Sequence, residues 1–385
     1  MAPIFWKRNI AIDHGKGVYL YDSDNRQYLD CTSNYGVAIT GHSHPKVVEA
    51  IKTQAEKLIS CHGAFYNETK SLFLNTLSQM VPNSLNKYYL SNSGTESVEY
   101  ALKLARKSTG KKSFIGMMNG FHGKTMGSLS LTWNKKYRNP FMPLLQHVSH
   151  VPFGNTERLL EKISEDTAAI ILEPIQGEGG INIPPEGYLK AVRDICTDNN
   201  VLMILDEIQT GTGRTGKFLA AEHSNVLPDI VCLSKAIASG FPMGVTLTSE
   251  NTASSLKIGD HSSTFGGNPL ACSAGSATLH VIREEKLMEN AQSVGDYLLN
   301  GLQKLGAFSI VRDVRGIGMM IAVETRFDVL NIIMRSQEKG LLVLEAGRNV
   351  IRLLPPLVMT LKEADTVIQV LSEAIGEEDS ARNSG

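Results

Sequence analysis

The sequence contains little cysteine, and the positions of its cysteines suggest neither a disulfide framework nor a zinc knuckle. The five residues are Cys31, Cys61, Cys196, Cys232 and Cys272. Their number is odd and no two of them form a C-x-x-C pair, so reduced, mostly buried thiols are the favoured interpretation. His42 and His44 also have no cysteine or carboxylate at ligand spacing, and we interpret them as the turn before a helix at Pro45. We therefore predict no metal site.

The sequence also lacks an excess of charge of either sign and a long apolar run. Its formal net charge is −1, which does not suit a surface that binds nucleic acid or an anionic membrane. The longest apolar runs, such as VLMIL at 201–205, have the length of a strand, and no long apolar segment follows the first charges of the chain. We expect a cytoplasmic protein with a small polar substrate and with neither a nucleic-acid nor a membrane partner.

The order of the patterns predicts an α/β fold. Residues 17–30 alternate apolar and polar around a D-S-D-N turn, which predicts a β-hairpin. From about residue 45 to residue 275, short β-rich runs alternate with helical stretches, as is typical of a mostly parallel sheet with helices on both faces. The last third contains a helix-like stretch at 271–305, several strand candidates, a final helix at 362–375 and a polar tail at 376–385 that we expect to be disordered.

At 385 residues the chain is too long for one ordinary core, and two interlocked domains are expected. We predict a large domain at 41–275 that contains the mostly parallel sheet, and a smaller C-terminal α+β domain at 276–385. Residues 1–40 are predicted to form an N-terminal segment that packs with the small domain.

Ligands of an open α/β sheet bind beyond the carboxyl ends of its strands, so the polar residues there are the first candidates for a site. After KYYL, Ser93 or Gly94 would lie at a helix N-terminus, where free N–H groups can bind a phosphate. Taken alone, the S-G-T-E stretch at 93–96 is more often an ordinary N-cap. Asp206 follows VLMIL, where a buried carboxylate needs a cation or hydrogen-bond donors. Lys235 follows DIVCLS, where burial lowers the pKa of an amine and favours a nucleophile; a structural salt bridge is the alternative.

Taken together, these strand ends supply the three contacts that pyridoxal 5'-phosphate requires. They are a phosphate cradle, an acid for the ring nitrogen and a lysine for a Schiff base. The combination favours this cofactor over three unrelated structural roles.

The sequence resembles the class III (ornithine-type) aminotransferases of fold type I over nearly its whole length. The matching stretches are NSGTES at 92–97, GFHGKT at 120–125, EPIQGEGG at 173–180, LDEIQTGTGRTG at 205–216, LSKAIASGFPMG at 233–244, STFGGNPLA at 263–271 and IRLLPPL at 351–357. Within that family it is most similar to the acetylornithine aminotransferases and to the archaeal enzymes whose lysine or ornithine precursor is attached to an acidic amino-group carrier protein. The stretch SLTWNKKYRNPFMPL favours the carrier-linked branch.

The resemblance implies a pyridoxal-phosphate-dependent transaminase that exchanges a terminal amino group with 2-oxoglutarate or glutamate in lysine or arginine biosynthesis. It also implies a homodimer with shared active sites and the following roles for single residues. At the cofactor ring, Lys235 forms the Schiff base and acts as general base, Asp206 pairs with the ring nitrogen, Phe121 stacks on the ring and Gln209 lies near the phenolic oxygen. At the phosphate, Gly94 and Thr95 bind beside Ser93, and Thr264 binds the phosphate of the other subunit. At the substrate, Ser263 makes a contact, and Glu178 covers Arg352 in one half-reaction and uncovers it for the α-carboxylate of glutamate in the other.

One residue departs from the acetylornithine pattern. Lys124 stands where that group has an arginine, and a lysine lacks the bidentate fork that holds a carboxylate. Its presence keeps a diamine or another ω-amino acid open as the substrate. For an acidic carrier, Lys135, Lys136 and Arg138 are candidate contacts, with a solvated charged loop as the alternative.

Rival functions have weaker support. G-T-G-R-T-G at 211–216 matches the dinucleotide fingerprint of a nicotinamide-dependent dehydrogenase, but D-E-I-Q separates it from the strand and no long helix follows. An aminomutase would share every cofactor contact. A non-catalytic binding protein would be expected to lose Lys235, which is present.

Overall fold

The computed structural model describes residues 2–4 and 6–383, which form three sheets covered by helices. The strands are β1 (Ile12–Lys16), β2 (Tyr19–Asp22), β3 (Gln27–Asp30), β4 (Lys87–Ser91), β5 (Ser113–Met117), β6 (Val148–Val151), β7 (Thr167–Leu172), β8 (Leu202–Asp206), β9 (Ile230–Leu233), β10 (Gly244–Thr248), β11 (Val311–Ile317), β12 (Met320–Thr325), β13 (Leu341–Leu342), β14 (Leu344–Ala346) and β15 (Val350–Leu353). The α-helices are α1 (Ser33–Gly36), α2 (Pro45–Lys57), α3 (Glu68–Ser78), α4 (Gly94–Thr109), α5 (Met126–Leu131), α6 (Lys135–Arg138), α7 (Thr156–Leu160), α8 (Tyr188–Asp198), α9 (Glu250–Ala253), α10 (Pro269–Glu284), α11 (Leu287–Gln303), α12 (Leu330–Glu338) and α13 (Leu361–Asn383).

The central sheet has seven strands in the order β4-β10-β9-β8-β7-β5-β6. Neighbours from β9 to β6 pair in parallel, and β10 alone runs against the others, antiparallel to both β9 and β4. The middle strands are apolar along their whole length, since every residue of β7 and β9 is buried. Continuous apolar runs are typical of strands covered on both faces, and the predicted mostly parallel α/β sheet is confirmed.

The two smaller sheets come from the two ends of the chain. β2 and β3 form the predicted hairpin, and β3 continues in parallel with β13 from the last third of the chain. The other sheet, β11-β12-β15-β14, is antiparallel and packs against α11 and α13 in a separate core. The predicted boundary between residues 275 and 276 falls inside α10, and the division into domains at that point stays a prediction.

Two expectations about the last third were wrong. The stretch 271–305 is not one helix, because the chain turns between α10 and α11 at Lys286, whose φ is +51°. Residues 376–383 of the polar tail are helical and not disordered, because α13 continues to Asn383. Glu378 is buried there and binds Arg382 at 2.8 Å, so charged side chains pair along this last part of the helix. Residues 384 and 385 of the predicted tail lie outside the described residues.

The described residues support the interpretation of the cysteines and histidines. The five cysteines are unpaired, and four of them are buried. α2 begins at Pro45 as expected, and His42 pairs with buried Asp30 at 2.7 Å. No helix in residues 2–4 and 6–383 is both long enough and apolar enough to cross a membrane.

Candidate active site

The first candidate phosphate cradle is the N-terminus of α4. Ser93 is the N-cap, and its hydroxyl accepts a hydrogen bond from the N–H of Glu96 while it donates to the Glu96 carboxylate at 2.9 Å. Gly94 lies directly against Ile208, where an added Cβ atom would be 2.8 Å from the Ile208 side chain. The N-cap and the cradle are compatible, because the Ser93 side chain caps only the N–H of Glu96, and α4 begins after β4, at the same edge of the sheet as Asp206.

Thr95 lies at a meeting point of two helix N-termini. Its hydroxyl is 2.7 Å from the hydroxyl of Thr125, the N-cap of α5, and 2.7 Å from that of Ser128 in the first turn of α5. Glu99 accepts hydrogen bonds from the N–H groups of Gly127 and Ser128 at 2.8 and 3.0 Å. Glu99 thus already caps α5, which leaves the N-terminus of α4 as the better donor group for an anion.

Asp206 ends β8 in the middle of the sheet and is buried. One carboxylate oxygen accepts the N–H of Ile208 at 3.1 Å, and the other lies 2.8 Å from Nδ1 of His122. His122 is itself buried, and its Nε2 atom has no hydrogen-bond partner within the described part of the chain. His122 orients the carboxylate, and the remaining acceptor capacity of Asp206 suits a cationic ring N–H.

Lys235 follows β9, the next strand along the sheet, and starts a 3-10 turn with φ at +24°. A non-glycine residue at positive φ is strained, and such strain is concentrated at functional positions. Burial lowers the pKa of Lys235; Glu178 opposes that shift, Arg352 adds to it, and Asp206 opposes it more weakly. These predicted site residues therefore lie close enough to act on one amine, and the lowered pKa increases the unprotonated fraction that can react as a nucleophile.

Glu178 and Arg352 form the expected ion pair, with 2.8 Å between Oε1 and the guanidinium. The arginine side chain is 0% exposed, whereas the glutamate side chain is 27% exposed. The same guanidinium donates to Oε1 of Gln209 at 3.2 Å and lies 5.4 Å from the ring of Tyr35. Burial raises the pKa of Glu178, but Arg352, Lys235 and the hydrogen bond from Arg352 outweigh it, so the pKa is lower than usual.

A cavity of about 690 Å³ opens beside this pair and is lined by Phe121, Tyr137, Glu178, Tyr35 and Glu345, among others. The rings of Phe121 and Tyr137 meet edge to face at 6.1 Å. The exposed Lys124 places its amine 4.5 Å from the centre of the Tyr137 ring and 6.0 Å from that of Phe121. Lys124 is thus held by aromatic faces at the edge of the site.

Ser263 and Thr264 lie elsewhere in this chain. Ser263 accepts a hydrogen bond from the side chain of Asn92 at 3.3 Å and one from the N–H of Gly266 at 2.9 Å. Together with exposed Thr264 it lines a second cavity of about 700 Å³, which does not contain Phe121 or Glu178. The structure of one chain therefore does not bring Thr264 to the Glu178 side of the site.

Two residues that sequence reasoning missed are part of this arrangement. Glu173 directly follows β7 and hydrogen-bonds two loops of the site; the same strand-end rule that found Asp206 could have found it. Tyr35 reaches Arg352 from a turn in which Ser33, Asn34 and Tyr35 all have positive φ, of 44°, 52° and 62°. No sequence signal predicts such a turn, because serine and tyrosine rarely adopt this conformation.

Residues 211–216, which match the dinucleotide fingerprint, form turns and not the start of a long helix. A five-residue 3-10 helix at Ala220–Ser224 comes next. Arg214 from this stretch is fully buried and donates to the carbonyl oxygens of Met319 and Pro355. The glycines serve close packing, since an added Cβ atom at Gly211 would lie 2.7 Å from the carbonyl oxygen of Glu207 and one at Gly213 would lie 3.1 Å from the side chain of Met288.

The donor and acceptor groups of the site fit pyridoxal phosphate. The buried Nε2 of Gln209 is a donor with no partner in residues 2–4 and 6–383, which suits an acceptor oxygen such as the phenolic oxygen of the ring. Asp206 offers a buried carboxylate, Lys235 an amine of lowered pKa, and α4 the N–H groups of its first turn other than that of Glu96, which Ser93 caps. These are the polar groups that the cofactor needs at its ring nitrogen, aldehyde and phosphate.

Comparisons with known proteins agree with this geometry. The sequence profile of the family "Aminotransferase class-III" matches residues 5–375. An acetylornithine aminotransferase of Methanopyrus kandleri is 44% identical over 368 residues, which cover 95% of this chain and 94% of that protein. A LysW-aminoadipate semialdehyde/glutamate semialdehyde transaminase of Sulfolobus acidocaldarius is 42% identical over 376 residues, covering 97% of each chain.

Solved structures give the same result for the fold. The crystal structure of the ornithine aminotransferase from Toxoplasma gondii superimposes with a TM-score of 0.95 at 32% identity, covering 99% of this chain and 93% of that one. An acetylornithine aminotransferase from Elizabethkingia anophelis gives a TM-score of 0.87 at 34% identity, with 98% and 96% covered.

Proposed function

The chain belongs to the class-III aminotransferases, and on that premise we propose that it exchanges a terminal amino group between a lysine or ornithine precursor and 2-oxoglutarate or glutamate. As a member of this family it is a pyridoxal-phosphate-dependent transaminase of fold type I. The bound cofactor supplies an electron sink and a carrier for the amino group. Relatives named for acetylornithine and for LysW-aminoadipate semialdehyde support a place in arginine or lysine biosynthesis.

The observation on which the proposal depends is the buried Arg352 covered by the partly exposed Glu178 beside Lys235. A covered arginine has its charge balanced by Glu178, which suits an amine with no carboxylate near its amino group. Once Glu178 moves away, the same guanidinium can hold the α-carboxylate of glutamate through two hydrogen bonds. One site can then accept two unlike substrates in turn, as a transaminase must.

The roles of the cofactor-binding residues are part of the proposal. Lys235 would hold the cofactor covalently and move the proton at the reacting carbon, since its amine has a lowered pKa. Asp206 would keep the ring nitrogen protonated, and Gln209 would donate to the phenolic oxygen. Phe121 would cover one face of the ring, and Ser93, Gly94 and Thr95 would bind the phosphate at the start of α4.

We propose a homodimer in which Thr264 completes the site of the other subunit, with Ser263 near the substrate. Exposed Thr264 lines the second cavity together with the exposed side chain of Ile258, and Ala64 of the same lining directly precedes the exposed Phe65 and Tyr66. Exposed aromatic and aliphatic groups of this size favour burial against another protein surface. The cytoplasmic location expected from sequence stays a prediction.

Mixing two inactive variants tests the shared site. A heterodimer of Lys235→Ala and Thr264→Ala subunits has one intact site if Thr264 serves the neighbouring subunit, and none if it serves its own. Random reassociation should therefore restore about a quarter of the wild-type activity. No recovery, in a mixture shown by mass spectrometry to contain heterodimers, would contradict the shared site.

The amine substrate is proposed to be carrier-linked lysine or ornithine. Lys135, Lys136 and Arg348 line the mouth of the 690 Å³ cavity and offer positive charge to an acidic carrier. Arg138, the third candidate from sequence, instead stacks on the ring of Trp133 at 5.7 Å. A diamine or ω-amino acid is the second candidate, since Lys124 lies on aromatic rings and offers no bidentate fork.

The deciding measurement is kcat/KM for N-acetylornithine, for carrier-linked lysine and for a diamine, each with 2-oxoglutarate. We expect carrier-linked lysine to be preferred, and Lys135→Glu with Lys136→Glu to lower its kcat/KM more than that of acetylornithine. Lys162→Glu with Lys217→Glu makes the same change of charge at exposed positions away from the cavity and should leave the ratio unchanged. A preference for N-acetylornithine would refute the carrier-linked substrate and favour an enzyme of arginine synthesis, a preference for the diamine would refute both, and inactivity with all three would refute the proposed function.

A further inference from the structure

Glu173 is a buried carboxylate at the end of β7 that joins two loops. β7 pairs with β8, which ends at Asp206, and with β5, which leads to Phe121. Oε1 of Glu173 accepts the N–H of Phe121 at 3.0 Å, and Oε2 accepts the N–H of Gly177 at 2.9 Å. Glu173 is only 6% exposed, so it depends on these donors. Each of its oxygens therefore fixes the main chain of a different loop.

Both loops contain residues of the proposed site. Phe121 is the proposed cover of the cofactor ring, and Gly177 precedes Glu178, which pairs with Arg352 at 2.8 Å. Gly177 also lies so close to Gln209 that an added Cβ atom would be 2.1 Å from its Oε1 atom. A shift of the Gly177 backbone would therefore change the positions of Glu178 and Gln209 together.

We propose that Glu173 is a positioning residue that fixes the Phe121 ring and the Glu178 carboxylate relative to each other at the end of β7. The proposal rests on the proposed function, since it assumes that these two residues contact cofactor and substrate. Glu173 acts through the backbone of the two loops and not on the reacting atoms. Both carboxylate oxygens of Glu173 are needed at the same time, because each loop donates one N–H to a different oxygen.

The surroundings of Glu173 show which substitution tests the second acceptor. Burial raises the pKa of Glu173 to about 7; His122 lowers it, Asp206 raises it, and the hydrogen bonds from the two loops lower it. Lys235 is the other charged group that it faces. Glu173→Gln keeps the size of the side chain and one acceptor oxygen, and it removes the charge together with the second acceptor. The glutamine oxygen can accept from one loop, but its NH₂ group then faces the N–H of the other.

Glu207 provides a matched control. It is 1% exposed, burial raises its pKa to about 7, and it accepts the N–H groups of Ala220 and Ala221 at 3.0 and 2.9 Å. Glu207 thus has the same chemistry and burial as Glu173, but its main-chain donors are residues 220 and 221. Its Oε2 atom also accepts the hydroxyl of Thr210, beside Gln209, and a glutamine whose oxygen takes the place of Oε2 keeps that bond and loses only the one from Ala221. Glu207→Gln should lower the melting temperature and leave the bound cofactor in its wild-type surroundings.

The experiment compares the wild-type holoenzyme with Glu173→Gln and Glu207→Gln by visible circular dichroism of the bound cofactor, thermal melting and steady-state kinetics. For Glu173→Gln we expect weaker dichroism and a kcat/KM for 2-oxoglutarate reduced about 30-fold, the equivalent of one hydrogen bond to a charged group. Glu207→Gln should have the same lowered melting temperature as Glu173→Gln but keep the wild-type dichroism. Unchanged dichroism in Glu173→Gln, or an equal loss in both variants, would overturn the positioning role.

Glu173→Asp is the second variant, in case Glu173→Gln does not fold. It keeps the charge and both oxygens but is shorter by one methylene, so it should also lose dichroism; full retention would overturn the proposal. The dichroism is independent of turnover. A wild-type enzyme that transfers no amino group would refute the proposed function, whereas the dichroism of the variants alone decides the role of Glu173.

Discussion

Glu178→Gln is expected to tighten the binding of 2-oxoglutarate by releasing Arg352 from its charged partner. In the wild-type protein the incoming α-carboxylate must displace a glutamate that lies 2.8 Å from the fully buried guanidinium. Glutamine has nearly the same shape and can still accept a hydrogen bond, but it has no charge to compete with a carboxylate.

The size of the effect follows from the pair itself. A hydrogen bond to a charged group contributes about 1.5 to 3 kcal/mol net, and about 2 kcal/mol corresponds to a 30-fold change in affinity. The lower end of this range applies, since the Glu178 side chain is 27% exposed and water weakens the pair. We therefore expect the KM for 2-oxoglutarate to fall about 10-fold. The KM for the amine substrate should stay the same or rise, because the uncovered guanidinium repels a cationic amine.

Stopped-flow absorbance of the bound cofactor separates the two half-reactions and gives an apparent affinity for each substrate. Glu186→Gln removes one negative charge from an exposed position nearby in sequence and should change neither affinity. If Glu178→Gln weakens the binding of 2-oxoglutarate, or alters both substrates equally, Glu178 does not act as a removable cover of Arg352.

Three further predictions concern buried polar groups. Asp206→Asn should keep the cofactor bound, as measured by absorbance, but lower kcat about 100-fold because an amide cannot hold the ring nitrogen protonated; an unchanged kcat would assign that role elsewhere. Arg214→Met should lower the free energy of unfolding in urea by about 3 kcal/mol, since the carbonyls of Met319 and Pro355 lose their donor; an equally stable variant would mean that burying the cation costs as much as its bonds contribute. Burial lowers the pKa of His150 from 6.5 to about 4. As the pH falls, His150 therefore takes up a proton in the unfolded chain before it does so in the folded chain, and about 2 kcal/mol of the free energy of unfolding should be lost between pH 7 and pH 5. His150→Gln should lack that part of the pH dependence, and an identical urea profile in the variant would contradict it.

The strand-end residues could be predicted because their positions follow from the sheet alone. Asp206 and Lys235 end neighbouring parallel strands, β8 and β9, and parallel strands bring their carboxyl ends to the same edge. Ser93 and Gly94 follow β4, which β10 separates from β9 but which runs in the same direction. Hydrophobic runs in the sequence are sufficient to place all of these residues at one edge.

Other features depend on contacts that no periodicity encodes. Tyr35 reaches Arg352 from a left-handed turn, and Asp30 supports that turn by accepting the N–H groups of Thr32 and Ser33 at 2.8 and 3.1 Å. The sequence shows the aspartate but not which backbone groups it binds. The break between α10 and α11 was missed for a similar reason, since neither glycine nor proline marks Lys286.

The charges around Lys235 explain why an ion pair suits this site better than a lone arginine. Arg352 lowers the pKa of Lys235, while Glu178 raises it, so the two effects oppose each other when the pair is closed. A bare Arg352 would add an uncompensated positive charge next to the amine and next to any cationic substrate. In the proposed reaction the α-carboxylate of glutamate would replace Glu178 on the guanidinium, so that one negative charge takes the place of another. The field at Lys235 would then be similar in both half-reactions, and a single lysine could serve two substrates of different charge.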